Sequence, residues 1–135
     1  MNMAASRVFK KGTETVYRGI KYRSRWEVYV AKLLLYSDVY FLYEPQRFFL
    51  TRTLSYLPDF YIPSHGLYIE VKGSLSKKDK ILLSIFSQSH RLKYLGKKEL
   101  CAISGRPVSF LSSPKMKEYT PTKEEVKRFK RFLDS

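Results

Sequence analysis

The chain has few acids, almost no sulfur nucleophile and no long apolar run, and each shortage excludes something. Only 12 of 135 residues are Asp or Glu, against 26 Lys and Arg, so the formal net charge is +14. Such an excess attracts polyanions, of which nucleic acid is the usual one. Composition alone does not separate a nucleic-acid enzyme from a generally cationic protein of the ribosome-associated kind. The lone cysteine, Cys101, permits neither an intramolecular disulfide nor a thiolate metal cluster. It lies in the run Leu100-Cys101-Ala102-Ile103, where a buried structural thiol is expected. Two histidines far from it in sequence make no zinc pattern.

No stretch approaches the roughly 18 uninterrupted apolar residues that span a bilayer. The opening MNMAASRVFKKGTETVYRG has no apolar core of a signal peptide. A cytoplasmic protein without membrane contact is the expectation. There is no internal repeat, no low-complexity segment, no zinc finger and no recognisable helix-turn-helix.

What is present suffices for a packed core: 44% hydrophobic residues, with 16% aromatics. One domain over residues 1–135 is expected, made of a basic N-terminal arm (1–20), a core (21–104), and a loop with a basic C-terminal helix (105–135). Ser24 and Glu27 have capping-box spacing at the head of a helix running to Ser37, on which Trp26, Val30, Leu33, Leu34 and Ser37 share a face. Strand signals follow at 40–43, 47–50, 55–57, 59–62 and 67–71, with Pro63-Ser64-His65-Gly66 as a hairpin turn. Helical spacing returns from Ser76 to about Leu92, with Ile81, Leu82, Ile85, Phe86 and Ser89 along one side. Residues 99–104 read as a strand, 105–119 as loop, and Thr122 to Leu133 as a last helix with a capping box at Thr122 and Glu125. The order gives an α/β class with a central mixed β-sheet flanked by helices.

The chemistry concentrates in LPDFYIPSHGLYIEVKG, residues 57–73. On a strand from Leu67 to Val71, Glu70 and Lys72 share a face while Ile69 and Val71 point into a core. A hairpin partner brings Asp59 near Glu70, and two carboxylates brought together repel unless a cation sits between them. A hard divalent ion suits such oxygens: Mg²⁺ characteristically uses one or two carboxylates plus waters and a substrate phosphate. A neighbouring ammonium can then position a nucleophile or stabilise charge growing on a phosphate oxygen. Metal-assisted hydrolysis of nucleic acid is the reaction class these residues favour. Against it stands a plainer account of Glu70 and Lys72 as an exposed same-face ion pair.

Pro58-Asp59, followed eleven positions later by Glu70-Val71-Lys72, resembles the signature of the PD-(D/E)xK nuclease superfamily. The likeness extends to Tyr22-Arg23-Ser24-Arg25-Trp26-Glu27, similar to the helix whose glutamate joins the metal site in these enzymes, and to Tyr43-Glu44-Pro45. The ordering of glutamate helix, strands, PD, ExK and helix is similar to phage Holliday-junction-resolving endonucleases and to the endonuclease subunits of some transposases, and covers about residues 18–104. The resemblance implies a restriction-endonuclease-like core and a phage or mobile-element endonuclease, junction-resolving or homing. It further implies Asp59, Glu70, the Val71 carbonyl and Glu27 as metal ligands, Lys72 as the residue that orients the attacking water, Mg²⁺ with Mn²⁺ able to substitute, and 5′-phosphate and 3′-hydroxyl products. Glu27 also has a capping role available to it, and Glu44 reads as a surface or turn residue. Neither His65, at a turn tip, nor His90, late in a helix, is expected to do chemistry.

Basic residues cluster beside this region: Lys10-Lys11, then Arg18, Lys21, Arg23 and Arg25, then Lys77, Lys78 and Lys80, then Arg91 with Lys93, then Lys97-Lys98. Lys127 and Arg131, with Arg128 and Lys130, populate the last helix around an apolar stripe of Val126, Phe129, Phe132 and Leu133. These are the expected phosphate contacts of duplex or branched DNA, with a plain solvated face as the alternative for the last helix. A homodimer with one active site per strand would suit a domain this small. Other readings are a non-catalytic DNA-binding or assembly protein and an RNA-processing nuclease.

Overall fold

The computed structural model describes residues 13–135, so the expected arm is seen only from Thr13 onward, and Lys10 and Lys11 lie outside the described residues. The chain enters as a hairpin, β1 (Thr15–Tyr17) against β2 (Ile20–Tyr22). Its turn has positive φ at both Arg18 and Gly19, the backbone that matches strand twist in a two-residue loop. Helix α1 (Arg25–Tyr36) follows because the Ser24 hydroxyl accepts from the Glu27 amide at 3.2 Å. The helix is buried from Glu27 through Leu34, so the face read from the sequence is only part of its apolar surface.

Strands β3 (Leu42–Tyr43), β4 (Phe48–Phe49), β5 (Ser55–Tyr56), β6 (Phe60–Ile62) and β7 (Leu67–Val71) come next, each inside a segment read as strand. The β6–β7 hairpin closes through a 3₁₀ turn, Pro63–His65, and a left-handed Gly66 with φ of 54°. Helix α2 (Lys77–Ser87) and β8 (Leu92–Leu95) complete a four-stranded mixed sheet in the order β3-β6-β7-β8, antiparallel except for the parallel β7–β8 pair. The pair β4–β5 stands apart as its own two-stranded sheet. On β7, Leu67, Ile69 and Val71 join α1 in the main core. Tyr68 faces the other way, packing edge-on against Phe86 of α2 and Phe48 of β4.

Three expectations need correction. Residues 99–104 are not a strand but most of helix α3 (Lys97–Ser104), because Glu99 accepts the Gly96 amide at its head and Gly105, with φ of 70°, ends it. Leu100 and Ile103 are buried one turn apart, a helical interval hidden in an apolar run, while Cys101 is only half-buried. The sheet's last strand is instead β8, which begins at Leu92, where the preceding helix was expected to end. The stretch 105–119 is not mere loop: it carries α4 (Val108–Leu111) and a 3₁₀ turn at Pro114–Glu118. On α2 only Phe86 is buried, and Ile81 is 53% exposed.

The C-terminal segment, ending in α5 (Lys123–Asp134), is part of the core. Leu111, Met116, Phe129 and Leu133 belong to the same cluster as α1, and the expected capping box of Thr122 and Glu125 is present. What locks it there is Lys32. This lysine sits in the apolar run of α1, is 2% exposed, and donates to the carbonyls of Met116, Lys117 and Tyr119 at 2.6 Å each. Burial pushes its pKa down, with the Glu118 carboxylate pulling it partly back. A buried ammonium is costly unless its donors are used, and here the acceptors come from one turn, which Met116 also anchors to the α1 core. Lys32→Met should therefore lower unfolding stability by about 3 kcal/mol in urea titration, and expose 112–122 to protease before the sheet is cut. An unchanged midpoint and cleavage pattern would remove Lys32 from this role.

Candidate active site

A cleft of about 980 Å³ opens where the C-terminal end of β7, the N-terminal turn of α2, the β4–β5 hairpin and the start of α1 meet. Asp59, Glu70, Val71 and Lys72 all line it, as do Arg23 and Arg25. The sequence motif is thus gathered into one concave surface.

Asp59 precedes β6 and is 3% exposed; its Oδ2 accepts the Val71 amide at 2.8 Å. The carboxylate takes a backbone donor just beyond the paired register, which ends at Phe60 opposite Ile69. Glu70, on the opposite face from Ile69 and Val71, has Oε1 accepting from the Tyr56 hydroxyl at 2.6 Å. Tyr56 is itself buried at 6% exposure, and its phenol is pushed well above the ordinary 10.0 by burial first, then by the charges of Glu70, Asp59 and Asp79. Its hydroxyl is thus the donor that fixes Glu70 within the cleft.

Lys72 is held by backbone and side chain together. Its amide donates to the Leu95 carbonyl at 3.2 Å, its carbonyl accepts from Tyr94 Oη at 2.6 Å, and its Nζ lies 3.0 Å from Asp79 Oδ2. Asp79 is also the residue of the capping box that accepts the Ser76 amide at the head of α2. Burial pulls its carboxyl up, but the Ser76 hydrogen bonds and the Lys72 ammonium outweigh this and hold it below the usual carboxylate value. The lysine and the helix are therefore positioned by one side chain.

Glu27 sits apart from the cleft lining. It is fully buried, accepting from the Arg23 amide and the Tyr43 hydroxyl at 2.9 Å each. The reciprocal half of the expected box falls on Arg23 rather than Ser24. Its link to the site is indirect: the Tyr43 phenol is pushed above its usual range by burial, then by Glu27 and Glu44, with a smaller push from Asp59. Glu44 is more than a surface residue. It has a left-handed backbone with φ of 46°, its amide donates to the Asp59 carbonyl at 2.7 Å, and its carboxylate takes a two-point grip from the Arg23 guanidinium within the cleft wall.

The expected phosphate contacts divide. Arg23 and Arg25 line the cleft, although Arg23 is committed to Glu44 and Arg25 donates to the Ser112 carbonyl at 2.8 Å. Arg18 and Lys21 are exposed on the β1–β2 hairpin, and Lys77, Lys78 and Lys80 are exposed on α2. Arg91 lies before β8 beside the His65 carbonyl it donates to, at the end of β7 away from Lys72. Lys127 and Arg131 are exposed on α5. His65 contacts Ser64 and Asp134, and His90 stacks on Phe86 with 4.3 Å between ring centres, so neither faces the cleft.

Tyr56 and Asp79 were not read from the sequence. Asp79 had a signal, since Ser76-Lys77-Lys78-Asp79 repeats the capping spacing with aspartate in place of glutamate. Tyr56 had none beyond strand alternation. Among the described residues no three His, Cys, Asp or Glu side chains cluster as a metal cage of their own. No protein-family model, curated protein or solved structure matches the chain.

The buried tyrosines give a pH signature. Tyr22 and Tyr119 are pushed up to about 12, and Tyr29, Tyr43 and Tyr56 higher still, burial being the largest cause in each. An unfolded phenol loses its proton near 10.0 while the folded one keeps it. The unfolded state thus binds fewer protons in that window, and stability falls as pH rises through 10. Urea midpoints measured across this range should drop, and Tyr56→Phe should flatten the slope; an identical slope in that variant would contradict the assignment.

Proposed function

We propose that the chain is a divalent-metal-dependent DNA endonuclease of the PD-(D/E)xK kind, built on a restriction-endonuclease-like core. The observation that carries this reading is the meeting of Asp59, Glu70, Val71 and Lys72 in one cleft of a protein with net charge +14. The order α1 with Glu27, strands, Asp59, Glu70 to Lys72, then α2 agrees with the resemblance noted in the sequence. Two carboxylates and a backbone carbonyl at the mouth of a cleft form an all-oxygen donor set of the kind Mg²⁺ or Mn²⁺ takes while keeping waters and a phosphate. Asp59, Glu70 and the Val71 carbonyl would hold the ion, which supplies charge neutralisation at the scissile phosphate.

The protein's own share of the work is positional. The Val71 amide fixes Asp59, and the Tyr56 hydroxyl fixes Glu70. Lys72, drawn toward the head of α2 by Asp79, presents an ammonium to orient the attacking water and to stabilise charge on the phosphoryl oxygens. Glu27 serves the site through Arg23 and Tyr43, holding α1 to β3, which ends just before Glu44. Exposed cations on the β1–β2 hairpin and on α2 flank the cleft as phosphate contacts.

Nicking of supercoiled plasmid and four-way-junction DNA should require Mg²⁺ or Mn²⁺ and fall by about 10²- to 10³-fold or more in Asp59→Ala and Lys72→Ala, with folding checked by circular dichroism. Equal cutting by all three proteins would sink the site. No cutting of any DNA, with binding retained, would point to a non-catalytic binding protein, and cutting of RNA alone to a processing nuclease. Preference for the junction over duplex would favour a resolving enzyme over a homing one, and size-exclusion on the junction would report a dimer.

A further inference from the structure

The β4–β5 hairpin has a feature the cleft chemistry does not use. Adjacent residues Phe48 and Phe49 point to opposite sides of β4, and their environments could hardly differ more. Phe48 is packed among Tyr68, Phe86 and His90, with ring centres 4.8–5.6 Å apart. Phe49 is 81% exposed, the most exposed of the chain's large apolar side chains among the described residues. Single exposed apolar side chains are ordinary, but this ring projects from a hairpin whose other side is packed on the sheet, so it is held out to solvent.

The hairpin is rigid for visible reasons. Phe48 clamps one side of it to the sheet, Leu50 and Thr51 amides both donate to the Leu54 carbonyl, and the Thr51 hydroxyl accepts from Thr53 and Leu54. It also borders the cleft: Arg47, Ser55 and Tyr56 line the wall, and Arg47 donates to the Ser55 hydroxyl at 3.0 Å. Arg52 is exposed at the tip. An exposed aromatic with Arg47 and Arg52 close on either side in the chain, a short distance along the chain from the proposed phosphodiester site, has the makeup of a base-stacking surface. The ring stacks on any base, and the cations take the phosphates.

We infer that Phe49 is a platform for an unpaired or extruded base, so the DNA that fits this protein has a locally opened duplex: a bulge, a branch point or a single-stranded junction. In an uninterrupted helix every base face is already stacked, and the ring would have nothing to meet. The inference rests on the nuclease reading for its choice of ligand, and adds the substrate class.

Anisotropy titration in a chelator, where no strand is cut, tests it with three labelled DNAs: a four-way junction, a duplex with one bulged 2-aminopurine, and a continuous duplex of equal length. Phe49→Ala should weaken binding to the first two by about 5- to 150-fold, the worth of one base stacked on an aromatic ring. Affinity for the continuous duplex should not change, and Phe49→Trp should keep the preference. The 2-aminopurine fluorescence should be quenched by the wild type and not by Phe49→Ala. Equal losses on all three DNAs, or no loss on any, would overturn the inference. So would a Phe49→Ala protein that changes from dimer to monomer with its DNA preference intact, because the ring would then be a contact with a second copy. Failure of the nuclease reading is seen separately, as absence of Mg²⁺-dependent nicking by a wild-type protein that still prefers the opened DNAs.

Discussion

The hydrogen bond from the Val71 amide to the Asp59 carboxylate is the constraint on which the cleft depends. It lies just past the last paired residues of β6 and β7, where a strand would ordinarily fray. With the amide of Val71 held, Val71 stays in the core, and the residues on either side of it are forced to the opposite face by the pleat. Those residues are Glu70 and Lys72. One bond thus fixes the distance of Asp59 from the strand and the direction of the two side chains that share the cleft with it. The parallel neighbour completes the arrangement, since β8 takes the Lys72 amide on its Leu95 carbonyl and the Lys72 carbonyl on the Tyr94 hydroxyl.

A second theme is that many of the cations are structural. Lys32 binds three carbonyls below α1, Lys93 binds carbonyls at the end of α5, Arg128 binds the Ile103 carbonyl as α3 ends, and Arg25 binds that of Ser112. Each puts positive charge where a helix or turn exposes the negative end of its peptide dipoles. The net charge therefore overstates what is free for a polyanion. What is left is spatially selective, with exposed Lys and Arg on the β1–β2 hairpin, on α2 and on α5.

These structural cations also explain which parts of the molecule could be read in advance. The core motif was legible because its logic is local: a period of two on β7, a turn at Gly66, and an acid before a strand. The helix N-caps were legible at Ser24 and Thr122 for the same reason, although only Thr122 has the reciprocal half of the box. Helix α3 was misread because Leu100 to Ile103 is apolar at every position, and periodicity cannot assign such a run; Gly105 and Glu99 were the signals that decided it. The docking of 105–135 onto α1 was not legible at all. It depends on a lysine in an apolar run finding carbonyls more than eighty positions away, and on Tyr29 meeting Glu125.

The same distinction bears on how the site is held. Asp59 receives a hydrogen bond from an amide and Glu70 one from a phenol, and Lys72 and Glu44 each meet an opposite charge. A neutral donor fixes the orientation of a carboxylate, and an ion pair fixes both partners at some expense of their fields. The Arg23–Glu44 pair belongs to the wall of the cleft that Asp59 and Glu70 also line. Lys72 lines it too, and its partner Asp79 lies in the first turn of α2, where the helix dipole attracts the same carboxylate. Because the Ser76 amide shares in holding Asp79, the lysine is steered by an acid whose charge is partly satisfied elsewhere.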